Sequence, residues 1–80
     1  MKVERTKYKV DDMDEPCIIV GDDFAKVRIS KCYHLIGKNT LNMTEFLDGE
    51  FNGSDEFDGD FDTLTDEDAI RLAREFSAYV

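Results

Sequence analysis

From Val3 to Leu47 the chain is a series of short β-prone runs separated by turn residues, and a helical period emerges only after Leu64. Thr6, Tyr8 and Val10 alternate with Arg5, Lys7 and Lys9, which predicts a half-buried strand over 3–10 with a basic outer face. Asp11 to Pro16 reads as a polar turn or loop, and Cys17-Ile18-Ile19-Val20 as a strand mostly covered on both faces. Gly21-Asp22-Asp23 turns the chain. Phe24 to Ile36 reads as a longer strand. Its alternation of Ala25, Val27 and Ile29 with Lys26, Arg28 and Ser30 fails at Lys31, so a bulge or an edge is expected near Ser30–Cys32. Gly37-Lys38-Asn39 is a turn, and Thr40 to Leu47 a further strand with Leu41, Met43 and Leu47 on one side.

Asp48-Gly49-Glu50-Phe51 recurs ten residues later as Asp58-Gly59-Asp60-Phe61. Asp-Gly between β-prone residues signals a two-residue hairpin turn, whose central positions both need positive φ, so each copy is expected to reverse a strand pair. After Leu64 the period changes. Thr65 is an N-cap, Asp66, Glu67 and Asp68 favour the positive end of the helix dipole, and Asp68 is placed to close a capping box. Ala69, Leu72, Ala73, Phe76 and Val80 form one apolar stripe, which predicts an amphipathic helix over 66–79. The expected fold is α+β: a small antiparallel meander of about four to five strands, packed by one C-terminal helix.

Residues 1–80 make a single domain with a thin core, near the small end of what folds without a staple. Nine aromatics help to fill it. No apolar region follows Met1–Arg5, so no secretory leader is expected, and the longest purely apolar run, Cys17 to Val20, is far too short to span a bilayer. With two cysteines and no disulfide framework, the expected setting is cytoplasmic with reduced thiols.

The net charge of −9 is concentrated in one place. Asp48 to Asp68 carries ten acids and no base, whereas the preceding residues balance eight acids with eight bases. That asymmetry argues against nucleic acid or an anionic membrane as a direct ligand and in favour of a basic protein or a divalent cation. If the segment is extended, Asp58, Asp60 and Asp62 lie on one side, about 6–7 Å apart at a rise of about 3.3 Å per residue. That is the order of spacing presented to a groove built for phosphates. Asp48, Glu50, Asp55, Glu56, Asp58, Asp60 and Asp62 are the candidate electrostatic residues, with Phe51, Phe57 and Phe61 as candidate apolar anchors.

In size and charge the chain resembles small acidic phage proteins that block CRISPR effectors or restriction enzymes, and nuclease-neutralising immunity proteins. The resemblance implies a stoichiometric inhibitor, not an enzyme, that occupies a basic groove on a nucleic-acid-binding protein or nuclease complex. The bland alternative is an interaction module whose acidic run is a solvated loop guarding a sheet edge.

A third reading is weak calcium binding at Asp58, Asp60 and Asp62, which occupy positions 1, 3 and 5 of an EF-hand-like frame. Position 6 should then be Gly and is Thr63; position 12 should be Glu and is Ala69, so no specific metal site is expected. Cys17, Cys32 and His34 are too few for a closed zinc site and read as core or surface residues. No phosphate loop, nucleophile triad or dinucleotide fingerprint is present, and no cofactor is expected. Whether Arg5, Lys7 and Lys9 neutralise the acidic run depends on which strands are neighbours.

Overall fold

The computed structural model describes residues 1–32 and 39–80. The chain forms strands β1 (Lys2–Val10), β2 (Met13–Gly21), β3 (Ala25–Lys31), β4 (Thr40–Leu47) and β5 (Glu50–Asp58), a 3-10 turn (Phe61–Thr63) and helix α1 (Asp66–Phe76). The strands make one antiparallel sheet in the order β1-β2-β3-β4-β5, with the helix on one face. This is the expected α+β meander.

The first hairpin is tighter than predicted. Asp11 and Asp12, at φ 49° and 67°, form a two-residue turn closed by the pair Val10–Met13, so most of the expected loop is strand. Aspartate tolerates the left-handed region, which allows this turn without glycine. Pro16 lies within β2 just before Cys17 meets Ser30 of β3; among the described residues the strand is an edge there, where proline is tolerated.

Cross-strand partners share a face, and the rows Val3–Val20–Val27 and Ile18–Ile29–Met43 define the one under the helix. Ile18, Val20, Val27, Ile29, Leu41 and Met43 are buried there beneath Ala69, Leu72 and Ala73. The two alanines let the helix backbone approach the sheet. Thr65 and Asp68 close the capping box as expected: the Asp68 amide donates to Thr65 Oγ1 at 3.1 Å, and the Thr65 amide donates to Asp68 Oδ2 at 3.2 Å. The helix is shorter than predicted, ending at Phe76, because Ser77 leaves helical geometry and donates its hydroxyl to buried Glu45.

Three other expectations change or narrow. First, Arg5, Lys7 and Lys9 share the face of Val3, so the basic side of β1 lies on the helix side, and Tyr8 lies on the opposite side. Second, of the bulge or edge expected near Ser30–Cys32, the edge is what the described residues show: pairing with β2 stops at Ser30, while the β3–β4 register runs unbroken from Ala25–Leu47 to Lys31–Leu41. Lys31 keeps the core-facing parity but escapes at the rim, pairing with Asp62 at 3.0 Å, while Ser30 is buried on the other face and accepts a hydrogen bond from the Tyr8 hydroxyl at 3.1 Å.

The bulge is on β5 instead, where Glu45 opposes Gly53, Phe46 opposes Phe51, and Asn52 is the extra residue. Its side-chain amide donates to Glu45 Oε1 at 2.7 Å. Third, β3 ends at Lys31, with Cys32 already outside it; residues 33–36 of the predicted strand, with His34 among them, and most of the Gly37–Asn39 turn lie outside the described residues. Across the open face, the Arg28 guanidinium stands 4.1 Å from the centre of the Tyr8 ring and 5.3 Å from that of Phe46.

Candidate functional site

The acidic segment is built by two local devices, and they divide it. At its start Asp48 and Gly49, at φ 51° and 81°, make the predicted two-residue turn between β4 and β5. β5 then runs along one edge of the sheet, the edge opposite β1. Asp55 shares the helix side with Met43 and Leu41, whereas Glu56 and Asp58 align with Asn42 and Thr40 on the open side. All three side chains are exposed. Cys32 Sγ donates to Glu56 Oε2 at 3.6 Å. Asp48, Glu50, Asp55 and Asp58 form no ion pair with any described lysine or arginine.

The second Asp-Gly does not make a hairpin. Gly59, at φ 157°, donates its amide to Asn39 O at 3.0 Å, and a β-carbon there would stand 2.8 Å from Leu41 Cδ1. Glycine at this position serves a close approach to the core and lets the chain leave the sheet. Asp60 then caps the 3-10 turn, its carboxylate accepting from the Asp62 amide at 3.1 Å. The expected extended array of Asp58, Asp60 and Asp62 is therefore absent: one ends a strand, one caps a turn, and Asp62 is paired with Lys31.

The rest of the run stabilises the fold. Arg5 pairs with Asp66 at 3.1 Å and donates to Leu64 O at 2.8 Å, which ties the start of the helix to β1. Asp68 is engaged by Thr65 and by Arg71 at 3.5 Å; the Thr65 amide, then its hydroxyl, hold its carboxyl below the usual aspartate range. β1 and β5 are opposite edges, so the basic strand reaches the acidic run at Leu64 and Asp66 and pairs with no β5 carboxylate; Lys9 pairs with Asp14 at 2.9 Å.

The three candidate anchors also separate. Phe57 packs on the core edge-on to Phe76, with ring centres 6.0 Å apart and planes at 87°, and Phe61 packs against the same cluster. Phe51 alone is free, 65% exposed. An aromatic not anticipated as an anchor joins it: Phe24 is 56% exposed in the β2–β3 turn, and its carbonyl accepts the Asp48 amide at 2.7 Å. The Asp22 carboxylate caps that turn, accepting from the Phe24 and Ala25 amides at 3.0 Å, and these bonds, Ala25 first, lower its pKa. The only sequence signal for Phe24 was an aromatic directly after a Gly-Asp-Asp turn.

Cys17 and Cys32 are both buried, and burial pushes the Cys17 pKa up against a smaller lowering by Arg28. Among the described residues no group of three or more His, Cys, Asp or Glu side chains converges as a metal site, and no helix is long and apolar enough to cross a membrane. Compared with protein-family models, curated proteins and solved structures, the chain matches none.

Proposed function

We propose that the chain is a stoichiometric binding protein of the cytoplasm, without turnover, whose β4–β5 hairpin grips a cationic groove on a nucleic-acid-binding protein or nuclease complex and excludes its nucleic acid. One observation carries this reading: Asp55 and Asp58 stand exposed on the edge strand opposite the basic strand and pair with no described lysine or arginine, while Arg5, Lys9, Lys31 and Arg71 pair with Asp66, Asp14, Asp62 and Asp68. Asp55, Glu56 and Asp58 place three carboxylates within about 10 Å of strand at about 3.3 Å per residue, Asp55 on the helix side and the other two on the open side. That density is comparable to the one charge per about 3.4 Å of axis on a nucleic-acid strand. A groove lined with Lys and Arg rewards matched negative charge and does not inspect the chemistry that bears it. This is the behaviour expected of the small acidic inhibitors of CRISPR effectors, restriction enzymes and nucleases that the chain resembles.

The test is affinity capture from the native host at low and high salt, followed by competition between the chain and nucleic acid for the captured protein. Capture of a basic nucleic-acid-binding protein, lost at high salt and reversed by nucleic acid, supports the proposal. Capture unaffected by both overturns it.

The position of β5 also favours a second reading, in which exposed acids keep an unpaired strand from joining other sheets. The two separate on the variant Asp55→Asn/Glu56→Gln/Asp58→Asn. An edge guard predicts that this variant self-associates and still binds; the groove-gripping reading predicts a monomer that binds poorly.

A further inference from the structure

The proposed binding surface has no apolar anchor along the Asp55–Asp58 part of β5, because Phe57 packs against the core. Charges at an interface rim mainly accelerate encounter; affinity needs a desolvated anchor near the middle. Among the described residues the exposed large apolar ones are Met1, Met13, Phe24, Phe51 and Tyr79. Singly such residues mean little. Two of them, Phe24 and Phe51, sit together at the end of the sheet formed by the β2–β3 and β4–β5 turns.

Those two turns are physically joined by the 2.7 Å bond from the Asp48 amide to the Phe24 carbonyl. Phe51 begins β5 and Phe24 precedes β3, so their backbones are about two strand spacings, or roughly 10 Å, apart. Asp22, Asp23, Asp48 and Glu50 flank the pair, and none is in an ion pair with a described cation. Lys26, in line with Phe46 on the open face, bounds the patch on one side. An exposed groove beside it is lined by Met1, Asp23 and Tyr79, and also by Lys2 and Arg74.

We infer that this twin-turn tip is the anchor of the interface, with Phe24 and Phe51 receiving an apolar or aromatic side chain of a basic protein surface while Asp23, Asp48 and Glu50 meet the cations around it. The inference rests on the proposed function and adds the centre of the contact. Apolar surface and unpaired negative charge coincide here, so the fitting partner intersperses Lys or Arg with large apolar residues; a purely cationic strip would leave both rings in water.

The test uses two synthetic peptides of equal positive charge, one alternating lysine with serine and one alternating lysine with leucine, titrated into the full chain and into Phe24→Ala/Phe51→Ala. The wild-type chain is expected to bind the lysine–leucine peptide about tenfold or more tightly than the lysine–serine peptide, the scale of an interface anchor. The double variant should lose that preference and keep the lysine–serine affinity. Because both side chains are already largely exposed, its thermal transition should match that of the wild type, and this match is checked first.

A preference that survives in the double variant overturns the inference and leaves the acidic edge standing. Failure of the lysine–serine peptide to bind the wild-type chain even at low salt counts against the acidic edge itself. If sedimentation shows a wild-type dimer that the double variant dissolves, the tip is a self-association surface and the inference is overturned.

Discussion

Replacing Phe57 by Ala should destabilise the domain, and replacing Phe51 by Ala should not, although both phenylalanines lie on the same edge strand within the acidic run. Phe57 faces Leu41 across the β4–β5 ladder, packs against the buried cluster and meets Phe76 edge-on at 6.0 Å. Complete burial makes Phe→Ala cost about 3–5 kcal/mol. Phe57 is half-buried, so roughly half that range, about 2 kcal/mol, is expected. Of this, about 0.5–1.5 kcal/mol is the aromatic pair.

For a domain of this size each kcal/mol lowers Tm by about 4–8 °C, which gives a fall of about 8–16 °C. Phe51, 65% exposed, should stay within about 0.5 kcal/mol of wild type. Urea unfolding of both variants beside the wild type, with a common slope, measures the difference. Equal losses, or a larger one for Phe51→Ala, would refute the separation of core from anchor residues that the binding proposal depends on.

Asp55→Asn/Glu56→Gln/Asp58→Asn should keep wild-type stability within about 0.5 kcal/mol and slow association with a captured basic partner, chiefly through on-rate, as stopped-flow mixing would show. Thr65→Ala removes one half of the capping box and should cost about 1 kcal/mol by urea titration, with Thr65→Ser recovering most of it. Asp22 and Asp68 have folded pKa values below their unfolded ones, so each adds stability that is present above the ordinary aspartate range and lost as pH falls through the depressed values. Asp22→Asn/Asp68→Asn should therefore flatten the acid limb of stability against pH and lower the plateau above it. Calorimetric titration with calcium at physiological salt should show no stoichiometric site at Asp58, Asp60 and Asp62, since those carboxylates serve three different local roles.

What the sequence revealed was mostly what is decided within a few residues. The capping box joins Thr65 to Asp68, and the Asp48-Gly49 turn needs only its own two φ values, so both were legible. Alternation along β1 announced two faces but not which one the helix would cover; the partnership of Val3 with Val20 settles that across seventeen positions. Lys31 looked like a broken pattern because Asp62, which receives it at the rim, is remote in sequence. Likewise Gly59 resembled a hairpin glycine, whereas its conformation answers to Leu41 on the neighbouring strand.

The same distance problem split the acidic run. Composition weighed Asp48 and Asp66 alike, and only the placement of Arg5 beside the helix start distinguishes an acid that holds the fold from one that faces outward. Asp11-Asp12 was missed for a local reason, since aspartate pairs rarely make such turns without glycine.

The most direct measurement is an amide chemical-shift map of the labelled chain on addition of its captured basic partner. The proposal predicts that perturbed amides cluster from Asp48 to Asp58 and around Phe24, with the β1 edge unmoved. Perturbations centred on Arg5, Lys7 and the outer helix, with the β5 edge silent, would contradict it.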